Sequence, residues 1–108
     1  MKNLLPLGSI VLIDESQYML IGYLPEKKDE NNKVYDYIAI EFPIGYYKEK
    51  LYYFNKEDIN ALIFIGFQNR QSNDFRKLCT NIKRNLDNGM NLDIAVKLVT
   101  GNIEELGE

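Results

Sequence analysis

Apolar residues fall in short, dense runs over the first two thirds of the chain and in a single helical stripe over the last third. Residues 9–13 and 18–24 are continuous apolar runs separated by Asp14-Glu15-Ser16-Gln17, a polar turn of hairpin length. Neither run alternates with polar residues, which predicts strands buried on both faces or wrapped into a closed core. Residues 25–33 are charged and hold no apolar side chain beyond Pro25, so they read as a surface loop. A third strand is predicted over 34–42, with Val34, Asp36, Ile38, Ile40 and Phe42 on one side and Tyr35, Tyr37 and Ala39 on the other. Pro43-Ile44-Gly45 ends it in a tight turn, because proline removes a ladder donor and glycine accepts positive φ. A short fourth strand follows at 51–54. Asn55-Lys56-Glu57-Asp58 then reads as one capped helical turn, with acids complementing the dipole, before a fifth run at 61–67.

After Gly66 the period changes. From Ser72 onward, Phe75, Leu78, Cys79, Ile82 and Leu86 form one helical stripe, which Asp87-Asn88-Gly89 ends. A second stripe at Leu92, Ala95, Val96 and Val99 starts at an Asn91 cap and stops near Gly101, with Ile103 and Leu106 placed to extend it. Strands first and helices second give the α+β class: a small curled antiparallel sheet or SH3-like barrel of about five strands, followed by two C-terminal helices. Residues 1–69 form the core and 70–108 a helical extension packed on it, in a single domain of 108 residues.

Composition narrows the chemistry. The chain has no His and one Cys, so the commonest general base and any internal disulfide are missing. Cys79 lies on the apolar stripe and reads as a small core residue. The adjacent carboxylate pairs Asp14/Glu15, Asp29/Glu30 and Glu57/Asp58 point apart on any regular element and fit turns and helix starts better than an acid–base or magnesium site. No enzymatic activity and no cofactor are expected. The longest charge-free stretches, such as 59–69, span 11 residues against about 20 for a membrane span, and the N-terminus shows no secretory signal. A cytoplasmic protein is the simplest expectation.

Two features point to binding. Phe42, Tyr46, Tyr47, Tyr52, Tyr53 and Phe54 place six of 13 aromatics within 13 residues. Some of these rings are expected to fill the core or clamp the Pro-Gly turn. Tyr46 and Tyr47, beside the Lys48-Glu49-Lys50 tip, are expected outside, and with Tyr52 they are candidate contacts for another protein. The second feature is charge. Residues 1–69 carry seven Lys and ten acids, whereas 70–86 carry five Lys/Arg against Asp74 alone. Arg76, Lys77, Lys83 and Arg84 repeat at seven-residue spacing, which predicts one positive face. That face is either the solvated side of an amphipathic helix or a site for phosphates or an acidic protein. A net charge of −3 and the lack of any nucleic-acid motif make nucleic acid the weaker ligand.

Four segments in order resemble a known family: Leu4-Leu5-Pro6-Leu7-Gly8-Ser9-Ile10-Val11-Leu12, Leu20-Ile21-Gly22-Tyr23, Tyr35-Asp36-Tyr37-Ile38-Ala39-Ile40-Glu41-Phe42-Pro43-Ile44-Gly45, and Phe54-Asn55-Lys56-Glu57-Asp58-Ile59 running into Ile63-Phe64-Ile65-Gly66-Phe67. They look like small bacterial proteins known only as a domain of unknown function, encoded beside type VII secretion loci and LXG-type toxin genes. The resemblance covers about residues 4–67 and leaves the tail outside. Where the family usually has a small or polar residue and an acid around the Pro-Gly turn, this chain has Ile44. The resemblance implies a cytoplasmic accessory role: an adaptor or chaperone for a neighbour-encoded secreted toxin, with no activity and no cofactor. An immunity protein that blocks a toxin is the alternative, followed by a nucleic-acid-binding small barrel.

Overall fold

The computed structural model describes residues 3–100. Seven strands precede two helices: β1 (Ile10–Ile13), β2 (Ser16–Tyr23), β3 (Glu26–Lys27), β4 (Lys33–Val34), β5 (Tyr37–Glu41), β6 (Tyr52–Phe54), β7 (Ala61–Phe64), α1 (Arg70–Asp87) and α2 (Leu92–Thr100). Five strands make one antiparallel sheet in the order β6-β5-β2-β1-β7, and β3 and β4 form a separate small hairpin. The α+β class is as the pattern predicts. The sheet is open, however, and not a barrel: β6 and β7 are edges that do not pair with each other.

The β1–β2 connection is tighter than its polarity suggests. Ser16 and Gln17 already pair with Ile13 and Leu12, leaving a two-residue turn with Asp14 at φ 55°. Aspartate tolerates that left-handed geometry better than most side chains. The charged stretch 25–33, expected as a loop, is an ordered hairpin whose turn uses two consecutive left-handed asparagines, Asn31 and Asn32. The predicted third strand is broken before Tyr37. Of its residues only Val34 pairs with β3, opposite Glu26, and the part from Tyr37 to Glu41 joins the main sheet.

One face of the sheet carries the core. Val11, Ile13, Leu20, Tyr37 and Ala39 meet Cys79 of α1 and Leu4 of the N-terminal segment. Leu4 belongs to no strand yet is wholly buried, worth roughly 2 kcal/mol of transfer free energy. Side chains satisfy the backbone of that segment. Leu4 N–H donates to Thr80 Oγ1 (3.0 Å), Leu4 O accepts from Arg76 (3.2 Å), Leu5 N–H donates to Tyr37 Oη (2.9 Å), and Leu5 O accepts from Tyr23 Oη (2.6 Å). The segment is therefore clamped between sheet and helix. Burial pushes the Tyr23 hydroxyl up to about 12, against the opposing charge of Arg76.

Helix α1 starts two residues earlier than the stripe suggests. Asn69 is its cap: its side chain accepts from Ser72 N–H (2.8 Å), and Ser72 Oγ accepts the Asn69 N–H (2.9 Å). Cys79 and Ile82 are buried as predicted, but Phe75 is half exposed, and Thr80 is buried beside Leu4. Helix α2 is capped by Asn91, whose side chain accepts from Ile94 N–H (2.9 Å), and it buries Ala95. Asn85 of α1 donates to Ala95 O at 3.3 Å, tying the two helices together. The proposed continuation through Ile103 and Leu106 lies outside the described residues.

Candidate protein-binding surface

The turn after β5 is built to project side chains. Gly45 N–H donates back to Glu41 O (2.6 Å) with Gly45 at φ 84°, a conformation that favours glycine although the space beside it is open. Beyond it Lys48 and Glu49 both sit in the left-handed region, at φ 52° and 56°, and Lys50 N–H closes the tip onto Tyr47 O (3.1 Å). Two consecutive left-handed residues bearing side chains cost about 1 kcal/mol each or more. Such strain gathers where a loop presents something.

What it presents is apolar. Ile44, Tyr46 and Tyr47 are 59%, 60% and 56% exposed, and Phe42 and Leu51 flank them less openly. The Lys48 ammonium sits 5.4 Å from the Tyr47 ring centre, a contact that leaves the outer face of the rim aromatic. Tyr46 and Tyr47 are thus outside, as expected. Tyr52 is not part of this rim. It is partly buried on the core side of the sheet, in a row with Tyr18 (5.0 Å) and Phe54 (6.4 Å, 7° between ring planes), and its hydroxyl reaches Glu41 at 3.3 Å. The register explains this, because Tyr52 pairs with buried Ala39.

The basic residues of α1 do not form one face. Seven-residue spacing holds within each pair, Arg76 with Lys83 and Lys77 with Arg84, but neighbours in sequence point about 100° apart on a helix. Arg76 turns inward to Leu4 O, with Gln68 (3.0 Å) and Asn73 (2.9 Å) sharing its other end. Lys83 lies 2.8 Å from Asp36 Oδ1 and 3.3 Å from Asp87 Oδ1. Of these four, Lys77 and Arg84 face solvent.

Asp36 is the residue the sequence pattern misplaced. It is wholly buried at the broken start of β5; Oδ2 accepts Lys56 N–H (2.7 Å) at the start of the single helical turn Lys56–Asp58, and Oδ1 faces Lys83. Asn55 completes the node, its side chain accepting Asp36 N–H (3.2 Å) while its own N–H donates to Asp58 Oδ2 (2.9 Å). Burial lowers the Lys83 pKa, but hydrogen bonds and charge from Asp36 and Asp87 outweigh it, and the net shift is upward. A buried carboxylate paired with a cation in this way fastens α1 to the sheet. Breaking such pairs costs about 3–5 kcal/mol, so Lys83 is committed to the fold and unavailable to a phosphate.

Of the remaining chemistry, Cys79 is buried and desolvation pushes its thiol up to about 11, which leaves it protonated at neutral pH. Among the described residues, no group of three or more Cys, Asp or Glu is placed to hold a metal ion, and no helix is long and apolar enough to cross a membrane.

The family described as Domain of unknown function (DUF4176) matches residues 4–75, more than half of the chain. The chain belongs to this family. The DUF4176 region begins at Leu4, the first buried residue, and ends at Phe75 in the second turn of α1. It includes the whole sheet and the aromatic rim, while Arg76, Thr80 and Lys83, which lock the helix on, lie past its end. No curated protein and no solved structure matches the chain.

Proposed function

We propose that this DUF4176 protein is a non-enzymatic, cytoplasmic adaptor or chaperone that binds a neighbour-encoded, type VII secreted LXG-type toxin before export. One observation carries the binding role: an exposed rim of Ile44, Tyr46 and Tyr47 held out on a strained two-residue tip. Tyr suits such a surface because its ring adds contact area while its hydroxyl stays solvated. Of the four cations at seven-residue spacing, Lys77 and Arg84 are outward and left to steer an acidic partner. The toxin as partner rests on the family resemblance of residues 4–67.

The test is a tagged pull-down of the full chain co-expressed with the neighbouring toxin, repeated with Tyr46→Ala/Tyr47→Ala and with toxin truncations. Stoichiometric recovery that the double substitution abolishes supports the reading. Binding confined to the toxic C-terminal domain would convert it to an immunity role, and no recovery at all would remove it.

A further inference from the structure

Among the described residues, nothing covers the opposite edge of the sheet. β7 hydrogen-bonds only to β1, and the four residues Ala61–Phe64 are all exposed. Natural edge strands are blunted by a Lys, a Pro, an inward charge, short length or a bulge; β7 is four residues long and bulged once, at Ile63, and it has none of the other devices. Residues 59–69 carry no charge and no proline. Leu62, Ile63, Phe64 and Ile65 are 45–58% exposed and Phe67 is 75% exposed; beside them Phe67 and Phe75 line an apolar cleft of about 210 Å³. At roughly 150–250 Å² for each Phe and somewhat less for each Leu or Ile, these side chains, set on both faces along the edge, leave on the order of 600 Å² of apolar surface open. A monomer rarely exposes more, and a standard interface covers about 800 Å² on each partner.

The ends of this edge differ in charge. β7 is entered through Glu57 and Asp58, and the β1–β2 turn brings Asp14 and Glu15 alongside, since Asp14 N–H donates to Asn60 Oδ1 (2.6 Å). All four carboxylates are exposed. At the other end the chain runs out to exposed Arg70, and Arg76 borders the cleft. A strand laid antiparallel on this edge needs an uncharged apolar centre, acids before it and a base after it. β7 itself meets that description.

We propose that β7 is a homodimer interface: two copies pair their β7 strands antiparallel about a two-fold axis, joining two five-stranded sheets into one. The contact is isologous, so each acidic end lies toward the basic end of its partner and the pairing closes at two copies. It leaves the Tyr46–Tyr47 rim, on the far side of the sheet, free for another protein.

Sedimentation velocity on the full chain over a range of concentrations tests this, with Ile63→Lys as the variant. Ile63 is the extra residue between the Val11–Leu62 and Ile10–Phe64 pairs, so it is the position where a Lys disturbs the β1 ladder least. The expectation is a monomer–dimer equilibrium in the wild type and a dissociation constant raised at least about tenfold, or no dimer, in the variant. A second measurement needs no variant: hydrogen exchange of the 62–65 amides slows as protein concentration rises. A wild type that stays monomeric throughout overturns the proposal. So does a dimer that Ile63→Lys leaves intact, or a dimer whose formation leaves the 62–65 amides unprotected.

Discussion

The two edges of the sheet solve the same problem in opposite ways. β6 is short, and the structure around it is crowded: the Lys27 ammonium lies 5.4 Å from the Tyr53 ring centre, Tyr35 packs edge-on to Tyr53 at 5.7 Å, and Asp36 anchors the turn that follows. The rim loop that leads into it carries Lys48, Glu49 and Lys50. Among the described residues β7 has none of this outside, and its restraint comes from within. Ser9 Oγ accepts Gly66 N–H at 2.9 Å, and the chain crosses the N-terminal segment so closely that a Cβ on Gly66 would lie 2.1 Å from Leu7 O and 2.7 Å from Ser9 N. One edge is guarded by charge and side-chain contacts, and the other is pinned by a backbone crossing and left open. A strand can be held rigidly without being protected, and rigidity makes an unprotected strand a better template for a partner.

The sharpest way to break this contrast is Gly66→Ala. The added methyl meets backbone on two sides, so nothing cheap can move. A loss of about 3 kcal/mol or more is expected, read as a lower denaturant midpoint. A loss under about 1 kcal/mol would mean that the crossing does not pin β7. Asp36→Ala tests the anchoring of the other edge. It leaves Lys83 part-buried without its main partner and removes the carboxylate that accepts the Lys56 N–H, at a cost of about 3 kcal/mol. Lys83→Met should cost as much or somewhat less, and the double variant should fall short of the sum, because the two residues share one interaction.

Alkaline pH loosens the clamp common to both edges. Cys79, Tyr23 and Lys83 all hold their protons more tightly folded than unfolded, the first at about 11 against an ordinary 9.0 and the second at about 12 against 10.0. Their contribution is therefore complete below about pH 9 and is lost as pH climbs through 11 and 12. Unfolding free energies measured between pH 7 and pH 12 should fall at the upper end, and Cys79→Ala should flatten the earlier part of the decline. The smallest effects on stability belong to the outward residues. Tyr46→Ala/Tyr47→Ala should change the unfolding free energy by less than about 0.5 kcal/mol each, as exposed side chains generally do, while removing partner binding. Ile63→Lys should alter association and leave the rim's binding untouched. Loss of both properties from either variant would erase the distinction between the edges.

The element types were readable from local pattern, because a stripe at 3.6-residue spacing and short runs cut by Pro, Gly and Asn are determined within ten or so residues. Asn55 and Asn91 were recognisable caps for the same reason. Asn69 was missed: its cap joins with Ser72, three residues on, and the helix's first residues, Arg70 and Gln71, add nothing to an apolar stripe. Tyr46 and Tyr47 were legible as exposed because a Pro-Gly turn and a charged tip bracket them. Tyr52 was not separable from them, since its side depends on pairing with Ala39.

The sequence alone therefore determined the strand-then-helix order, the buried Cys79, the projecting rim and the absence of any histidine chemistry. Sheet order was decided only in three dimensions. Whether an apolar run such as 61–67 ends up in the centre or at an edge depends on which distant strand it meets, and β1 already had β2 on its other side. The fate of each cation on α1 was decided the same way. Spacing sets which residues share a face, but the position of buried Asp36, 47 residues earlier in the chain, turned Lys83 inward and left Arg84 to the solvent.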